Sequence, residues 1–157
     1  MQDGSGPRPL SHVGLTVSDL EAAVEWYGDI LGFETLIEPH VRRAGDDGIH
    51  ISRDLLGVEF ESMRVAFLET GGGANLELFE FDDTEGVSAV SPVDVGFHHV
   101  GVVDPDLEAL AARIDETGGE HYAAVWELYP GFEATYCWDP WRNRIEIYNR
   151  EFNPTEL

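Results

Sequence analysis

The chain has 157 residues, 43% of them hydrophobic, and a net charge of −22. That length and apolar content suit one domain with a full core and exclude a disordered chain, and no apolar run is long enough to cross a bilayer. A charge this negative repels nucleic-acid phosphates and anionic membranes, which removes both from the expected partners.

The charge has an unusual make-up: there is no lysine, and all nine cations are arginine. Such an acidic surface stays soluble where salt screens its self-repulsion, the pattern of a protein from a salt-loving host. Cys137 is the single cysteine, so an internal disulfide is impossible; it sits in the apolar run Ala134-Thr135-Tyr136-Cys137-Trp138 and reads as a buried, inert thiol. The start of the chain lacks the basic and apolar regions of a signal peptide. The expectation is a cytoplasmic protein with a flexible N-terminal tail over 1–9 and a C-terminal tail over 151–157.

From Leu10 to Val17 the pattern predicts a strand. Ser18 and Glu21 have capping-box spacing and open a helix that runs through Leu20, Ala23, Val24 and Tyr27 to about Leu31, where Gly32 stops it. Phe33 to Ile37 reads as a strand halted by Pro39. Residues 40–57 show no clean period and read as a long excursion, a candidate lid. Strands follow near Met63 to Glu69 and Ala74 to Phe81, joined by Gly71-Gly72-Gly73. After an acidic connection the plan restarts. Phe97 to Val103 is a strand, Asp104 and Pro105 cap and begin a helix, and Gly118-Gly119 ends it. Strands near Glu120 to Trp126, Glu133 to Trp138 and Arg144 to Asn149 complete the second unit, with 139–143 as a turn.

A constant offset of 87 maps His12 to His99, Gly14 to Gly101, Leu20 to Leu107 and Gly32 to Gly119. His12 to Glu77 spans 65 residues and His99 to Glu146 spans 47; the difference of 18 is about the length of the excursion. The chain is therefore read as two strand–helix–three-strand modules, with an insertion in the first. The expected fold is α+β: two βαβββ modules (10–82 and 96–150, linker 83–95) building a single domain over 10–150, a curved mixed half-barrel sheet with helices outside.

Strand side chains alternate faces. His12, Glu77, His99 and Glu146 each oppose aliphatic neighbours: Val13, Leu76 and Leu78, Val100, and Ile145 and Ile147. The aliphatic faces should pack under the helices, placing all four polar residues on the other face. Phe79, Phe97 and Tyr148 share it by the same parity. Buried carboxylates need a compensating cation, and two histidines with two glutamates at equivalent repeat positions predict one metal ion. His98 is the rival to His99; the offset and the parity both choose His99, and His98 is expected to point toward the helix layer.

The stretches His12-Val13-Gly14-Leu15, Trp26-Tyr27 through Leu31-Gly32-Phe33, Leu76-Glu77-Leu78, His99-Val100-Gly101-Val102 and Asp139-Pro140 through Arg144-Ile145-Glu146-Ile147-Tyr148 together resemble the vicinal oxygen chelate superfamily, with its glyoxalases, bleomycin-resistance proteins and extradiol dioxygenases. The resemblance covers about Leu10 to Tyr148. It implies metal ligands at His12, Glu77, His99 and Glu146, holding Zn, Ni, Co, Mn or Fe(II).

By the same resemblance, the implied activity is that of a glyoxalase I-like isomerase or lyase. A small substrate with vicinal oxygens chelates the ion, which stabilises an enediolate while Glu77 or Glu146 moves a proton. Phe79, Phe97, Trp126 and Tyr148 are the expected substrate contacts, and a homodimer is the expected assembly. An extradiol dioxygenase using Fe(II) would need His12, His99 and Glu146 alone; Glu77 fills a position that catechol and dioxygen require, which counts against it. An acyl-CoA epimerase is disfavoured by an acidic surface without lysine, and a non-catalytic drug-binding resistance protein by the intact ligand set.

Overall fold

The computed structural model describes residues 6–84 and 90–156. Residues 1–5 of the expected tail, 85–89 of the expected linker and residue 157 lie outside the described residues. The chain divides into two compact units, Met1–Glu85 and Gly86–Leu157. Each carries its own open, mixed sheet.

The first unit runs β1 (His12–Thr16), α1 (Leu20–Leu31), β2 (Glu34–Arg43), α2 (Ile49–Leu56), β3 (Ser62–Glu69) and β4 (Asn75–Phe81). Its sheet has the order β1-β4-β3-β2, with β1 parallel to β4 and the other pairs antiparallel. Helix α1 buries Leu20, Ala23, Trp26, Tyr27 and Ile30; full burial of a side chain like Leu20 contributes about 2 to 3 kcal/mol. Gly32 ends the helix at a φ of 70°, as its position predicts.

Three expectations change in this unit. The N-cap of α1 is Asp19, not Ser18: Asp19 accepts from the Ala22 amide at 3.0 Å. Pro39 does not stop β2, which continues to Arg43. It is tolerated because β2 is an edge strand whose ladder shifts register between Thr35 and His40, so no paired amide is lost. The excursion after His40 is not structureless. It finishes β2, turns, and forms α2, whose Ile49 packs with Phe60 and Met63 against Phe79 and Phe81. Its eight residues are too few for helical periodicity to show.

The second unit runs β5 (Val100–Val103), α3 (Leu107–Glu116), β6 (Glu120–His121), β7 (Trp126–Tyr129), β8 (Phe132–Trp138) and β9 (Arg144–Tyr148). Strand order is β5-β9-β8-β6, with β7 also paired to β8. Helix α3 buries Leu107, Leu110, Ala111 and Ile114, the stripe its sequence predicts. Its N-cap is Asp106 rather than Asp104; Asp104 instead accepts from the Asp106 amide in the preceding turn. Asp19 and Asp106 are themselves related by 87, so the true caps belong to the repeat. Pairing in β5 begins at Val100, not Phe97. The expected strand Glu120 to Trp126 is split: β6 stops at His121, and Trp126 opens a hairpin with β8 across Pro130-Gly131.

Gly119 is required by a close approach. A Cβ there would stand 2.4 Å from the Trp138 carbonyl oxygen and 2.6 Å from the Ile114 side chain. The turn 139–143 is built on Asp139, 1% exposed, whose carboxylate accepts from the Trp141 and Asn143 amides and the Asn143 side chain.

The repeat holds at the level of register. Gly14 lies opposite Glu77 and Gly101 opposite Glu146; Phe67 lies opposite Glu77 and Tyr136 opposite Glu146. Among the described residues, no helix is long and apolar enough to cross a membrane.

Candidate metal centre

Strand alternation places the site residues as the sequence predicts within each unit. On β1, His12, Gly14 and Thr16 are exposed while Val13 and Leu15 are half-buried; on β4, Leu76 and Leu78 are buried while Glu77 lies on the opposite face. Parallel pairing of β1 with β4 then brings His12 to Glu77, Nε2 to carboxylate oxygen 3.3 Å. The second unit repeats this: His99 Nε2 stands 3.2 Å from the Glu146 carboxylate. Two donors about 2.1 Å from one ion stand roughly 3.0 to 3.4 Å apart at octahedral to tetrahedral angles, so each pair has the spacing of adjacent ligands on a divalent metal.

Both histidines present Nε2 to the glutamate because their Nδ1 atoms are engaged. His12 Nδ1 lies 3.2 Å from the Ser11 hydroxyl, and His99 Nδ1 lies 2.8 Å from His98 Nδ1. Ser11 and His98 are again 87 residues apart, a signal in the sequence that their roles correspond. A partner that accepts from Nδ1–H leaves Nε2 free for a metal. The expectation that His98 points toward the helix layer is corrected here: its ring lies 4.6 Å from that of His99. Strand alternation fails at this step because β5 has not yet begun.

The two carboxylates differ in surroundings. Glu146 is buried, 9% exposed, and Tyr136 lies opposite it on β8; burial first and the Glu146 carboxylate second hold the Tyr136 and Tyr148 phenols above the ordinary tyrosine range. Glu77 has its pKa raised by burial, partly offset by His12. Tyr136 was legible only as one aromatic among several. The signal that finds it is the second repeat offset, 69, which carries Glu77 to Glu146 and Phe67 to Tyr136.

Of the expected substrate contacts, Phe79 and Tyr148 flank the two glutamates on their strands. Phe79 packs on the cluster under α2, and Tyr148 lies 4.8 Å from the Phe132 ring. Phe97 and Trp126 are 98% and 66% exposed, Phe97 ahead of β5 and Trp126 at the start of the β7–β8 hairpin. Of the remaining histidines, His40 bonds to the Glu38 carbonyl oxygen and His121 to the Thr135 hydroxyl at 2.9 Å. Cys137 is buried, with its thiol pushed up to about 12.

One group of three acidic residues in the first unit, Asp19, Glu21 and Glu80, also has ligand-like spacing. Its charges are already met. Asp19 and Glu80 accept from amides at the N-terminus of α1, and Arg64 pairs with Glu21 and Glu80. We read it as a helix cap with an ion pair.

Each unit carries the βαβββ plan with one His–Glu pair at the same register, a duplicated architecture. The chain belongs to the Glyoxalase/Bleomycin resistance protein/Dioxygenase superfamily, the vicinal oxygen chelate proteins, whose family model matches residues 10–147. A curated relative from Actinomyces, 2-epi-5-epi-valiolone epimerase, is 29% identical over 152 residues, covering 92% of this chain and 80% of its own. Among solved structures, a glyoxalase family protein from Bacillus cereus superposes with a TM-score of 0.76 at 14% identity, covering 94% of this chain and 97% of the other. Glyoxalase I from Zea mays gives 0.64 at 20% identity, over 92% of this chain and 46% of that longer chain. A fosfomycin resistance protein from Listeria monocytogenes, solved with Mn(II) and sulfate, gives 0.55 at 15% identity over 96% and 98%. At these identities the structural likenesses establish the fold.

Proposed function

We propose that His12, Glu77, His99 and Glu146 hold one divalent metal ion, and that the protein is an isomerase acting on a small substrate with two adjacent oxygens. The observation that carries this reading is the duplication of the His–Glu pair, at one register in both modules with donor spacings of 3.3 and 3.2 Å. Two imidazoles and two carboxylates suit Zn, Ni, Co, Mn or Fe(II). A bound ion supplies Lewis-acid stabilisation of the negative charge that develops on the substrate oxygens.

The chain's own groups do the rest. Four protein donors would leave room on the ion for a substrate's two adjacent oxygens, and the glutamates would supply the base that takes a proton from the carbon beside the carbonyl. Return of that proton to the neighbouring carbon is the glyoxalase I-like outcome; return to the opposite face of the same carbon is epimerisation, the outcome that the Actinomyces relative's name favours. The assembly is a homodimer of chains that bind no nucleic acid and no membrane, and its compartment is the cytoplasm.

The test is an assay of metal-loaded protein with 2-epi-5-epi-valiolone, with the hemithioacetal of methylglyoxal and glutathione, and with a catechol. Turnover or solvent-deuterium incorporation with either of the first two, abolished by EDTA, is the expected result. Oxygen uptake with the catechol would replace the isomerase reading by ring cleavage.

A further inference from the structure

The two modules hold the residue before their site histidine in different ways. Ser11 and His98 are related by the offset of 87, and Asn75 and Arg144 by the offset of 69. In the first unit the Ser11 carbonyl accepts from the Asn75 backbone amide at 2.8 Å, and the pairing of β1 with β4 starts at the next residue, His12. In the second unit the pairing of β5 with β9 starts only at Val100. There the His98 carbonyl accepts instead from the Arg144 side chain, Nη1 to oxygen 3.1 Å. The corresponding carbonyl is held by main chain in one module and by a guanidinium in the other.

Arg144 is itself fixed on several sides. Its Nε donates to the Tyr122 hydroxyl at 2.9 Å, and its Nη1 also donates to the Val90 carbonyl at 3.2 Å. Its guanidinium lies 4.3 Å from the centre of the Trp138 ring, and Tyr122 stacks on that ring with centroids 5.1 Å apart. A planar fork with donors on several edges suits this task in a way that a point charge does not.

We infer that Arg144 is a positioning residue for His99: its guanidinium supplies the rung that the second module's ladder lacks, and so aims the imidazole at Glu146. The inference rests on the metal site proposed above. The His98 carbonyl and the His99 amide belong to one planar peptide unit, so holding the carbonyl sets the direction in which His99 leaves the backbone. The same residue carries the His98 ring, whose Nδ1 stands 2.8 Å from that of His99. One guanidinium therefore fixes both the backbone at His99 and the neighbour that engages its Nδ1, with Nε2 left 3.2 Å from the Glu146 carboxylate. Charge is not what Arg144 contributes. It stands two residues before Glu146 on β9, and a cation there repels a divalent ion.

The probe is Co(II), added to the full chain and followed by its visible spectrum, in wild type, Arg144→Gln and Arg142→Gln. Arg142 is the matched control: its guanidinium lies 4.8 Å from the centre of the same Trp138 ring, and it pairs with Glu120 rather than with the His98 segment. By Coulomb's law, removing a cation tightens a divalent ion, whereas losing a positioning group weakens it. The expected result is a loss of about tenfold in Co(II) affinity with a changed spectrum in Arg144→Gln, and no loss in Arg142→Gln. A second readout needs no metal. Long-range proton–nitrogen NMR of the histidine rings should show one fixed His99 tautomer in wild type and averaging of the two in Arg144→Gln. Should Arg144→Gln fail to fold, Arg144→Lys, which keeps the charge but not the planar fork, carries the same outcomes. Co(II) affinity in Arg144→Gln at or above that of wild type, or equal losses in the two arginine variants, overturns the inference and leaves the metal site standing. A wild type that binds no Co(II) overturns the metal site; the NMR then decides the inference by itself, and an unchanged His99 tautomer in Arg144→Gln refutes it.

Discussion

At the scale of single residues, the decisive chemistry lies in how four side chains are oriented by their neighbours. Tyr136 and Tyr148 carry raised pKa values through burial first and the Glu146 carboxylate second. A group whose folded pKa exceeds its unfolded value near 10 contributes stability that is fully present below pH 10 and lost as pH rises through the folded value. Metal-free protein should therefore lose urea resistance from pH 10 upward more steeply than Tyr136→Phe, and absorbance at 295 nm should show tyrosines ionising above pH 10. A fall no steeper than the variant's would contradict this. Asp139→Ala leaves two amides of a tight turn unpaired and should cost about 2 to 4 kcal/mol by urea denaturation. Parity and the repeat, both legible in the sequence, predict His12 with Glu77 and His99 with Glu146 on one face, and each pair stands together within its unit; a shared metal ion remains the proposal. The sequence misjudged His98, since alternation has meaning only where a ladder has started, and it could not separate Tyr136 from ordinary core aromatics, since a hydroxyl's partner is set across strands.

At the scale of elements, helices and hairpins hold the pairs in register. Losing the cap side chain in Asp19→Ala or Asp106→Ala should cost about 1 kcal/mol each, with near-additive effects because the caps sit in separate units. Gly119→Ala should be far worse than an ordinary helix-end substitution. Its Cβ meets the Trp138 backbone, which cannot move without disturbing the pairing of β6 with β8. Thermal melts of the three variants check both statements; Gly119→Ala melting like wild type would contradict the close approach. Element types and order were largely legible, because capping residues, glycine stops and apolar periods are short-range signals. Boundaries were not. Pro39 survives inside β2 only because that strand is an edge, and α2 forms because Ile49 finds Phe60 and Met63, both consequences of tertiary placement. The β7–β8 hairpin was hidden because Pro130-Gly131 reads equally as a loop.

At the scale of the whole molecule, the net charge of −22 without a lysine makes stability a function of ionic strength. Molar KCl should raise the melting temperature markedly over 50 mM KCl; indifference to salt would contradict the reading of the surface as salt-adapted. The duplicated architecture and the family were legible because a repeat offset spans strands, helices and glycine stops at once. The substrate was not, because one scaffold serves several reactions and the groups that choose between them are few. The central claim is that two His–Glu pairs, one from each module, serve a single ion. Metal stoichiometry tests it most directly, by elemental analysis and Co(II) titration of wild type, His12→Ala and His99→Ala. One ion per chain, with binding lost in full by either variant, is the predicted result; two independent ions per chain, or a site surviving loss of one histidine at undiminished affinity, would contradict it.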